Sequence, residues 1–204
     1  MLYEAIITAA GMSRRMGQPK QLLPLGEGTV LEHTIRNFLQ AGVEDVTVIT
    51  GYRSEEIEES IRHLYVRCIQ NPNYEKNDML ASVCMGIAEM KADTKGALIC
   101  PADVPFISPS LIKRVIREME ETLCDIVVPF VNGEMGRPPL LARGMLEELA
   151  GWKKQGGLHR FLEENKEKIR QVPTEEQWIL QDMDTPEAYQ EILEIEKIWK
   201  KKIL

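Results

Sequence analysis

Apolar and polar positions follow two alternating patterns along this chain. Short apolar, β-rich runs alternate with segments in which apolar residues recur every three or four positions, as Leu31, Ile35 and Phe38 do. This alternation is typical of β-α-β units around a largely parallel sheet. It predicts strands at residues 3–8, 45–50, 65–70, 96–100, 126–129, 140–142, 169–172 and 178–183. It predicts helices at residues 30–41, 53–63, 79–90, 109–121, 144–150, 157–165 and 186–199.

The pattern continues without a repeat, a low-complexity run or a long linker, so we expect one doubly wound α/β domain over residues 1–204. It is least regular in residues 130–175, where Gly133, Gly136 and Pro138 interrupt it. Open α/β sheets bind ligands at the carboxyl ends of their strands. We therefore expect residues 130–175 to form a small irregular cap at that edge and to take part in ligand binding there.

Composition narrows the class of protein. Hydrophobic residues at 44% and charged residues at 28% are ordinary globular values, which favour neither disorder nor a membrane protein. A net charge of −7 argues against non-specific nucleic-acid binding, since that depends on lysine and arginine neutralising phosphates. Met1 is followed almost at once by a predicted strand rather than a signal peptide, so we expect a cytoplasmic protein.

The four cysteines do not form a recognisable framework. Cys68, Cys84, Cys100 and Cys124 lie far apart and never as C-x-x-C. Buried reduced thiols are the favoured interpretation over disulfides or a zinc site.

The segment that follows the first predicted strand combines glycines with cationic residues. Gly11, Arg15, Gly17 and Lys20 all lie in it. Glycines let the main chain approach a phosphate closely, free N–H groups bind its oxygens, and two cations share the charge of a triphosphate. This order of a strand, glycines, an arginine and a lysine therefore predicts a loop whose backbone binds a nucleoside triphosphate.

This loop is neither of the two commonest glycine-rich phosphate loops. A P-loop has Lys and Ser/Thr directly after its second glycine, whereas two residues separate Gly17 from Lys20. A dinucleotide fingerprint needs G-x-G-x-x-G, and no second glycine follows Gly11 at that spacing.

The loop does match the signature A-[AG]-G-x-S-x-R-M-G-x-x-K of nucleotidyltransferases that attach a nucleoside monophosphate to a phosphorylated acceptor. Its fixed positions are filled by Ala9, Ala10, Gly11, Ser13, Arg15, Met16, Gly17 and Lys20. The rest of the chain resembles the molybdenum-cofactor branch, whose guanylyl- and cytidylyltransferases act on molybdopterin. The resemblance implies a Rossmann-like nucleotidyltransferase fold and a nucleotide site in this loop, with Lys20 and Arg15 acting in catalysis.

Two aspartates follow predicted strands at the expected ligand-binding edge. Asp103 comes just after strand 96–100 and Asp184 after strand 178–183. Asp103 can be a turn former, and Asp184 with Glu187 resembles a capping box for the last helix. The resemblance instead favours both as ligands of Mg²⁺, with Asp103 also catalytic and Asp182 the weaker candidate. Magnesium typically takes one or two carboxylates plus substrate phosphates.

The implied reaction explains why no Ser/His/Asp or Cys/His set is evident. A terminal acceptor phosphate is largely ionised at pH 7, since its second pKa is about 6. It needs no general base, so positioning and electrostatic stabilisation can carry an in-line transfer.

Two features bear on the nucleotide. Ala10 resembles the cytidylyl members, whereas guanylyl members typically have glycine there, and its methyl group narrows the space beside the base. A second block from Asn71 to Gly86 resembles the family stretch N-P-x-x-x-x-G-M-x-x-S-[LV]-x-x-G, with one extra residue and Asp78 in place of glycine. Asn71 and Ser82 are its candidates for base or ribose contacts, with packing roles as the alternative.

Residues 130–175 are the expected binding segment for the phosphorylated acceptor, and two altered motifs in them support this. Arg137 and Pro138 resemble a Gly-His-Pro motif with Arg replacing His, and Gly157 and His159 resemble a Gly-Gly-Leu-Arg motif with His replacing Arg. Cationic groups at both places suit an anionic pterin phosphate. Turn glycines and surface charges are the alternative.

The leading hypothesis is an enzyme that transfers CMP from CTP to molybdopterin, releases pyrophosphate and forms the cytosine dinucleotide cofactor of molybdenum hydroxylases. A guanylyl or other nucleotidyl specificity is the runner-up. A third possibility is a non-catalytic accessory that binds the finished cofactor for a hydroxylase or its maturation factor. Intact Lys20, Asp103 and Asp184 argue against that role.

Overall fold

The computed structural model describes residues 2–76 and 78–203, with side chains as far as residue 199. Met1, Asn77 and Leu204, which the expected domain includes, lie outside the described residues. The α-helices are α1 (Val30–Gln40), α2 (Ser54–Ile61), α3 (Met79–Ala88), α4 (Pro109–Thr122), α5 (Arg143–Ala150), α6 (Gly157–Glu164) and α7 (Pro186–Ile203). The strands are β1 (Tyr3–Thr8), β2 (Pro24–Leu25), β3 (Gly28–Thr29), β4 (Val46–Thr50), β5 (Arg67–Gln70), β6 (Gly96–Pro101), β7 (Ile126–Val131), β8 (Glu134–Met135), β9 (Leu140–Ala142) and β10 (Ile169–Pro173).

One mixed, mostly parallel sheet organises the chain. Its strand order is β10-β7-β9-β6-β1-β4-β5, with β8 paired to the free part of β7. Strand β1 runs parallel to β4 and β6, while β9 is antiparallel to both β6 and β7. Strands β2 and β3 form a separate hairpin. The predicted α/β class is confirmed.

Helices cover both faces of the sheet, as a doubly wound fold requires. Helices α1, α2 and α4 bury apolar side chains on one face, in a cluster that includes Phe38, Ile57 and Val115. Helices α3, α5 and α6 cover the other face, in a cluster that includes Val83 and Phe161. Because β1 lies between these layers, its residues are almost entirely buried, and all but Glu4 and Thr8 are apolar or aromatic.

The register of the central strands places their carboxyl ends side by side. Thr8, the last residue of β1, pairs with Pro101 at the end of β6 and with Ile49 near the end of β4. The Ala102 amide then donates to the Thr8 carbonyl at 3.1 Å. The loops after β1 and β6 therefore leave the sheet as neighbours.

The predicted elements that form agree with the structure to within two residues at their ends, except that α7 continues to Ile203, four residues beyond its predicted end. Helix α1 begins with a capping box between Thr29 and Glu32. The predicted helix 53–63 divides into α2 and a 3₁₀ turn at Arg62–Leu64. The short strands β2, β3 and β8 were not predicted, because two-residue pairings carry no periodicity.

Residues 130–175 are not only a cap. They supply β9, which inserts between β6 and β7, and β10, which forms an edge of the main sheet. Glycines and prolines occupy the turns of this segment, while its short apolar runs enter the sheet. The strands predicted at 140–142 and 169–172 therefore belong to the main sheet and not to the expected irregular cap.

The predicted strand 178–183 is wrong. Residues Gln177–Leu180 form a 3₁₀ turn, and residues 181–185 continue as an irregular segment that we call the strap. Ile179 is buried over Gly136, where a Cβ atom would lie 2.4 Å from the Ile179 Cδ1 atom. The apolar run thus reaches the core without pairing as a strand.

The cysteines agree with the expectation of reduced thiols. All four are free; Cys100 is fully buried and the other three are half-buried. Burial raises the pKa of Cys68 to about 11 and also raises the pKa of Cys84 and Cys100.

No helix among residues 2–76 and 78–203 is long and apolar enough to cross a membrane.

Close packing of α3 on β1 yields a stability prediction. A Cβ atom at Gly86 would lie 2.6 Å from the buried Ile6 Cγ2 atom. We expect Gly86→Ala to lower the free energy of unfolding by about 1–3 kcal/mol through overpacking, despite the better helix propensity of alanine. Gly144→Ala in α5, where a Cβ atom would meet nothing within 4 Å, is the matched control. Urea unfolding measures both, and equal stability of the two variants would contradict the prediction.

Candidate active site

The loop after β1 is held in a fixed, turned conformation. The Ala9 amide donates to the Ile49 carbonyl at 2.8 Å, which continues the sheet by one residue. Ser13 (φ 49°) and Gly17 (φ 69°) are left-handed and flank a 3₁₀ turn at Arg14–Met16. Because a left-handed backbone suits glycine best, Gly17 fits the end of this turn.

Gln21 ties the two ends of this loop together. Its buried side-chain amide donates to the carbonyls of Ala9 at 2.8 Å and Gly11 at 3.2 Å. Ser13 Oγ donates to Gln21 Oε1 at 3.3 Å and accepts from the Lys20 amide at 3.1 Å. Ser13 and Gln21 therefore fix the backbone from which Lys20 projects.

Gly51 provides room for the start of the loop. A Cβ atom at this position would lie 2.8 Å from both the Ala10 Cβ atom and the Ala10 carbonyl oxygen. The Tyr52 amide donates to that same carbonyl at 3.3 Å. The absence of a side chain at Gly51 thus allows the close approach of Ala10.

Lys20 lies between the two predicted metal ligands. Its Nζ atom is 2.5 Å from Asp103 Oδ2 and 2.6 Å from Asp184 Oδ1. Burial alone would lower the pKa of Lys20, but the charges and hydrogen bonds of the two carboxylates outweigh it and raise the pKa. Lys20 is therefore a permanent cation, and it joins segments more than 160 residues apart in sequence.

Asp184 binds a second cation from the loop. Arg15 contacts Asp184 Oδ2 at 2.5 Å on the solvent side of the site. The hydrogen bond from Lys20, together with the charges of Lys20 and Arg15, outweighs partial burial and lowers the pKa of Asp184. Asp184 is thus held in its ionised form.

The alternative role of Asp184, as the cap of the last helix, is not observed. The side chain of Thr185 accepts from the Ala188 amide at 3.2 Å at the start of α7, so the cap is one residue further along. Both oxygens of Asp184 therefore face the loop cations. Asp182 pairs with Arg137 at 2.7 Å instead.

A cavity of about 220 Å³ opens beside these groups at the carboxyl edge of the sheet. It is lined by Thr8, Ala10, Gly11, Lys20, Gln21, Tyr74, Asp78, Met79, Ser82, Pro101, Ala102 and Asp103. Ser82 contributes directly to its wall. Asn71 is buried behind Ser82, and its side-chain amide donates to Ser82 Oγ at 3.2 Å. Asn71 is thus placed to orient Ser82.

The predicted acceptor residues do not meet at one place. Arg137 reaches the strap, where it donates to Asp182 and to the Gln181 carbonyl at 3.4 Å. His159 lies in a different groove, next to Glu163 at 3.4 Å. Gly157 begins α6 near Leu80, and Pro138 is buried. Among these side chains only Arg137 forms hydrogen bonds with the strap, which also contains Asp184 of the Lys20 site.

The donor set at this edge fits a divalent cation. Asp103 and Asp184 direct carboxylate oxygens to one point, which the Lys20 ammonium contacts. Hard cations such as Mg²⁺ take carboxylate oxygens and complete their coordination with water and phosphates. Among the described residues no group of three or more His, Cys, Asp or Glu side chains forms a metal cage. The pair therefore suits a metal that arrives with a phosphorylated ligand.

Several residues of the site escaped the sequence analysis. Gln21 and Gly51 hold the loop, while Tyr74 and Met79 line the cavity. A polar residue directly after Lys20 and before an apolar pair was a usable signal for Gln21. Nothing local marks Gly51, whose role depends on the approach of Ala10 from a different β-α unit.

Fold and site together define an α/β protein with Lys20, Arg15 and two carboxylates gathered at the carboxyl edge of a mostly parallel sheet. The same fold occurs in Rv0371c from Mycobacterium tuberculosis H37Rv, with a TM-score of 0.84 and 24% identity over 94% of this chain and 97% of that one. It also occurs in a nucleotidyl transferase from Methanothermobacter, with a TM-score of 0.82 and 24% identity over 98% of both chains.

The chain belongs to the MobA-like NTP transferase domain family, whose profile matches residues 5–170. It is 31% identical over 144 residues to the molybdenum cofactor cytidylyltransferase of Escherichia coli, covering 70% of this chain and 71% of that protein. It is also 31% identical over 140 residues to a probable molybdenum cofactor guanylyltransferase of Bacillus cereus, covering 69% of this chain and 66% of that protein. These findings confirm the resemblance drawn from the loop signature.

The role of Gln21 is testable by an isosteric change. Gln21→Glu places a carboxylate oxygen against the Ala9 and Gly11 carbonyls and removes both donors. We expect a loss of about 1–3 kcal/mol in unfolding free energy, the cost of unsatisfied buried polar groups. The exposed Gln40→Glu at the end of α1 is the control. Thermal unfolding measures both, and an unchanged midpoint for Gln21→Glu would show that these bonds do not hold the loop.

Proposed function

We propose that this protein transfers CMP from CTP to the terminal phosphate of molybdopterin, with release of pyrophosphate. Family membership supports nucleotidyl transfer, and the E. coli cytidylyltransferase is among the most similar curated relatives. The observation that carries the proposal is the convergence of Lys20, Arg15, Asp103 and Asp184 beside a cavity at the carboxyl edge of the sheet.

In this proposal the loop binds the triphosphate. The backbone from Ala10 to Gly17 surrounds the phosphates, while Lys20 and Arg15 contribute the positive charge. The raised pKa of Lys20 keeps the ammonium protonated, so it acts as a fixed charge and not as a base. Ser82, with Asn71 behind it, contacts the base or ribose.

Asp103 and Asp184 would hold Mg²⁺ in this scheme. The bound metal would polarise the α-phosphate and neutralise the departing pyrophosphate. Rv0371c, which shares this fold, has been solved in complex with manganese, which supports a divalent metal in such a fold.

The acceptor needs positioning but no deprotonation. Its phosphate is already ionised near pH 7 and can attack the α-phosphorus in line. Arg137 is the favoured acceptor cation, because the strap connects it to the Lys20 site. Pro138, Gly157 and His159 remain weaker candidates. The dinucleotide product would pass to a molybdenum hydroxylase or its maturation factor.

A guanylyl specificity is the second candidate. It is favoured by the probable guanylyltransferases of Bacillus, which match this chain at the same 31% identity as the cytidylyl relative. Ala10 favours CTP, because Ala10 lines the cavity and glycine at this position would leave more space.

Pyrophosphate release tests the proposed reaction. The protein is incubated with Mg²⁺, molybdopterin and each of the four nucleoside triphosphates. We expect release with CTP, and a fall of about 10²–10³ in kcat for Lys20→Ala, which removes a donor to the transition state. Lys91→Ala, remote from the loop, is the control. Release with GTP instead selects the second candidate, and no release with any nucleotide contradicts nucleotidyl transfer.

Ala10→Gly tests the basis of nucleotide choice. Removal of one methyl group from the cavity wall should favour the larger purine, raising the GTP-to-CTP ratio of kcat/KM by about tenfold or more. Ala9→Gly, at a position outside the cavity lining, is the matched control. An unchanged ratio in Ala10→Gly would remove Ala10 as the determinant.

A further inference from the structure

Lys20 and Arg15, the two cations proposed to bind phosphate, are paired with the site's own carboxylates. Lys20 contacts Asp103 and Asp184 at 2.5 and 2.6 Å, and Arg15 contacts the second oxygen of Asp184 at 2.5 Å. Groups that would bind phosphate and groups that would bind metal thus neutralise one another. Lys20 and Arg15 can bind phosphate, and the two carboxylates can bind metal, only after these ion pairs are broken.

The contact of Lys20 differs from an ordinary surface ion pair. The Lys20 and Asp103 side chains are only 18% and 6% exposed, whereas those of the surface pair Lys91 and Asp45 are 50% and 32% exposed. Poor access to water strengthens the Lys20 contacts and makes an uncompensated charge there costly. Asp103 Oδ2 also accepts a hydrogen bond from the Met183 amide at 3.3 Å, and this bond fixes the position of the carboxylate.

A divalent cation and the ammonium compete for these oxygens. A metal bound to Asp103 Oδ2 and Asp184 Oδ1 would replace the two shortest contacts of Lys20, and the like charges would repel at that distance. A triphosphate provides the alternative partner that Lys20 needs in order to leave.

We propose that Lys20 occupies the cation position between Asp103 and Asp184 in the nucleotide-free protein, so that the divalent metal enters only together with the triphosphate. This inference rests on the proposed function for the identity of the ligands. Arg15 likewise leaves Asp184 when the triphosphate binds. Metal and nucleotide therefore bind with positive coupling, and each raises the affinity for the other by the same factor.

Metal binding without nucleotide or acceptor tests the competition. Mn²⁺ is titrated into four proteins and free Mn²⁺ is followed by electron paramagnetic resonance: the wild type, Lys20→Met, Lys91→Met and the double variant Lys20→Met with Asp103→Asn. We expect weak binding by the wild type and binding tighter by about tenfold or more for Lys20→Met, because a competing charge has been removed. Lys91→Met also frees a carboxylate from a 2.5 Å contact but should bind like the wild type. The double variant should lose the gain.

A second measurement guards against a folding defect. If Lys20→Met is less stable because Asp103 is left uncompensated, Mn²⁺ should raise its unfolding temperature more than it raises that of the wild type. Equal Mn²⁺ affinity and equal thermal shifts in the two proteins would overturn the competition. A gain that persists in the double variant would also overturn it, since the metal would then bind elsewhere.

These outcomes are separable from the proposed reaction. Wild-type pyrophosphate release without any gain of Mn²⁺ binding in Lys20→Met would refute the competition and leave nucleotidyl transfer intact. Tighter Mn²⁺ binding in Lys20→Met without release in the wild type would refute the reaction and support the competition.

Discussion

The candidate site depends on one ion-pair cluster, in which the Lys20 ammonium contacts the carboxylates of Asp103 and Asp184. These three residues lie on the loop after β1, the loop after β6 and the strap before α7. Bringing two carboxylates together costs electrostatic free energy unless a cation lies between them. Lys20 supplies that cation here, and in the proposed reaction a divalent metal takes its place.

The sheet makes this cluster possible before any side chain is considered. Parallel β1 and β6 end level with each other at Thr8 and Pro101, so their loops emerge side by side. Gln21 and Gly51 then shape the first loop, one through buried hydrogen bonds and the other by leaving space for Ala10. Strand register thus brings the two loops together, and a few buried contacts fix the conformation of the first one.

Prediction from the sequence was most successful where one periodicity dominates. The buried run of β1 and the amphipathic helices α1 and α4 were predicted to within about a turn, because burial on a known face determines their pattern. It failed at residues 178–183, where Ile179 reaches the core through a 3₁₀ turn over Gly136. It left open whether Asp184 caps α7, because two adjacent polar residues could equally do so, and the structure gives that role to Thr185.

The sequence by itself determined the α/β class, the loop signature and the family, because a strand followed by a fixed order of glycine, serine, arginine and lysine is a local signal. Only the tertiary structure decided how these residues are partnered. Lys20 meets Asp184 across 164 positions, Arg137 turns to Asp182, and His159 lies in a separate groove. Such contacts depend on strand order and on the path of the strap, which no local pattern encodes.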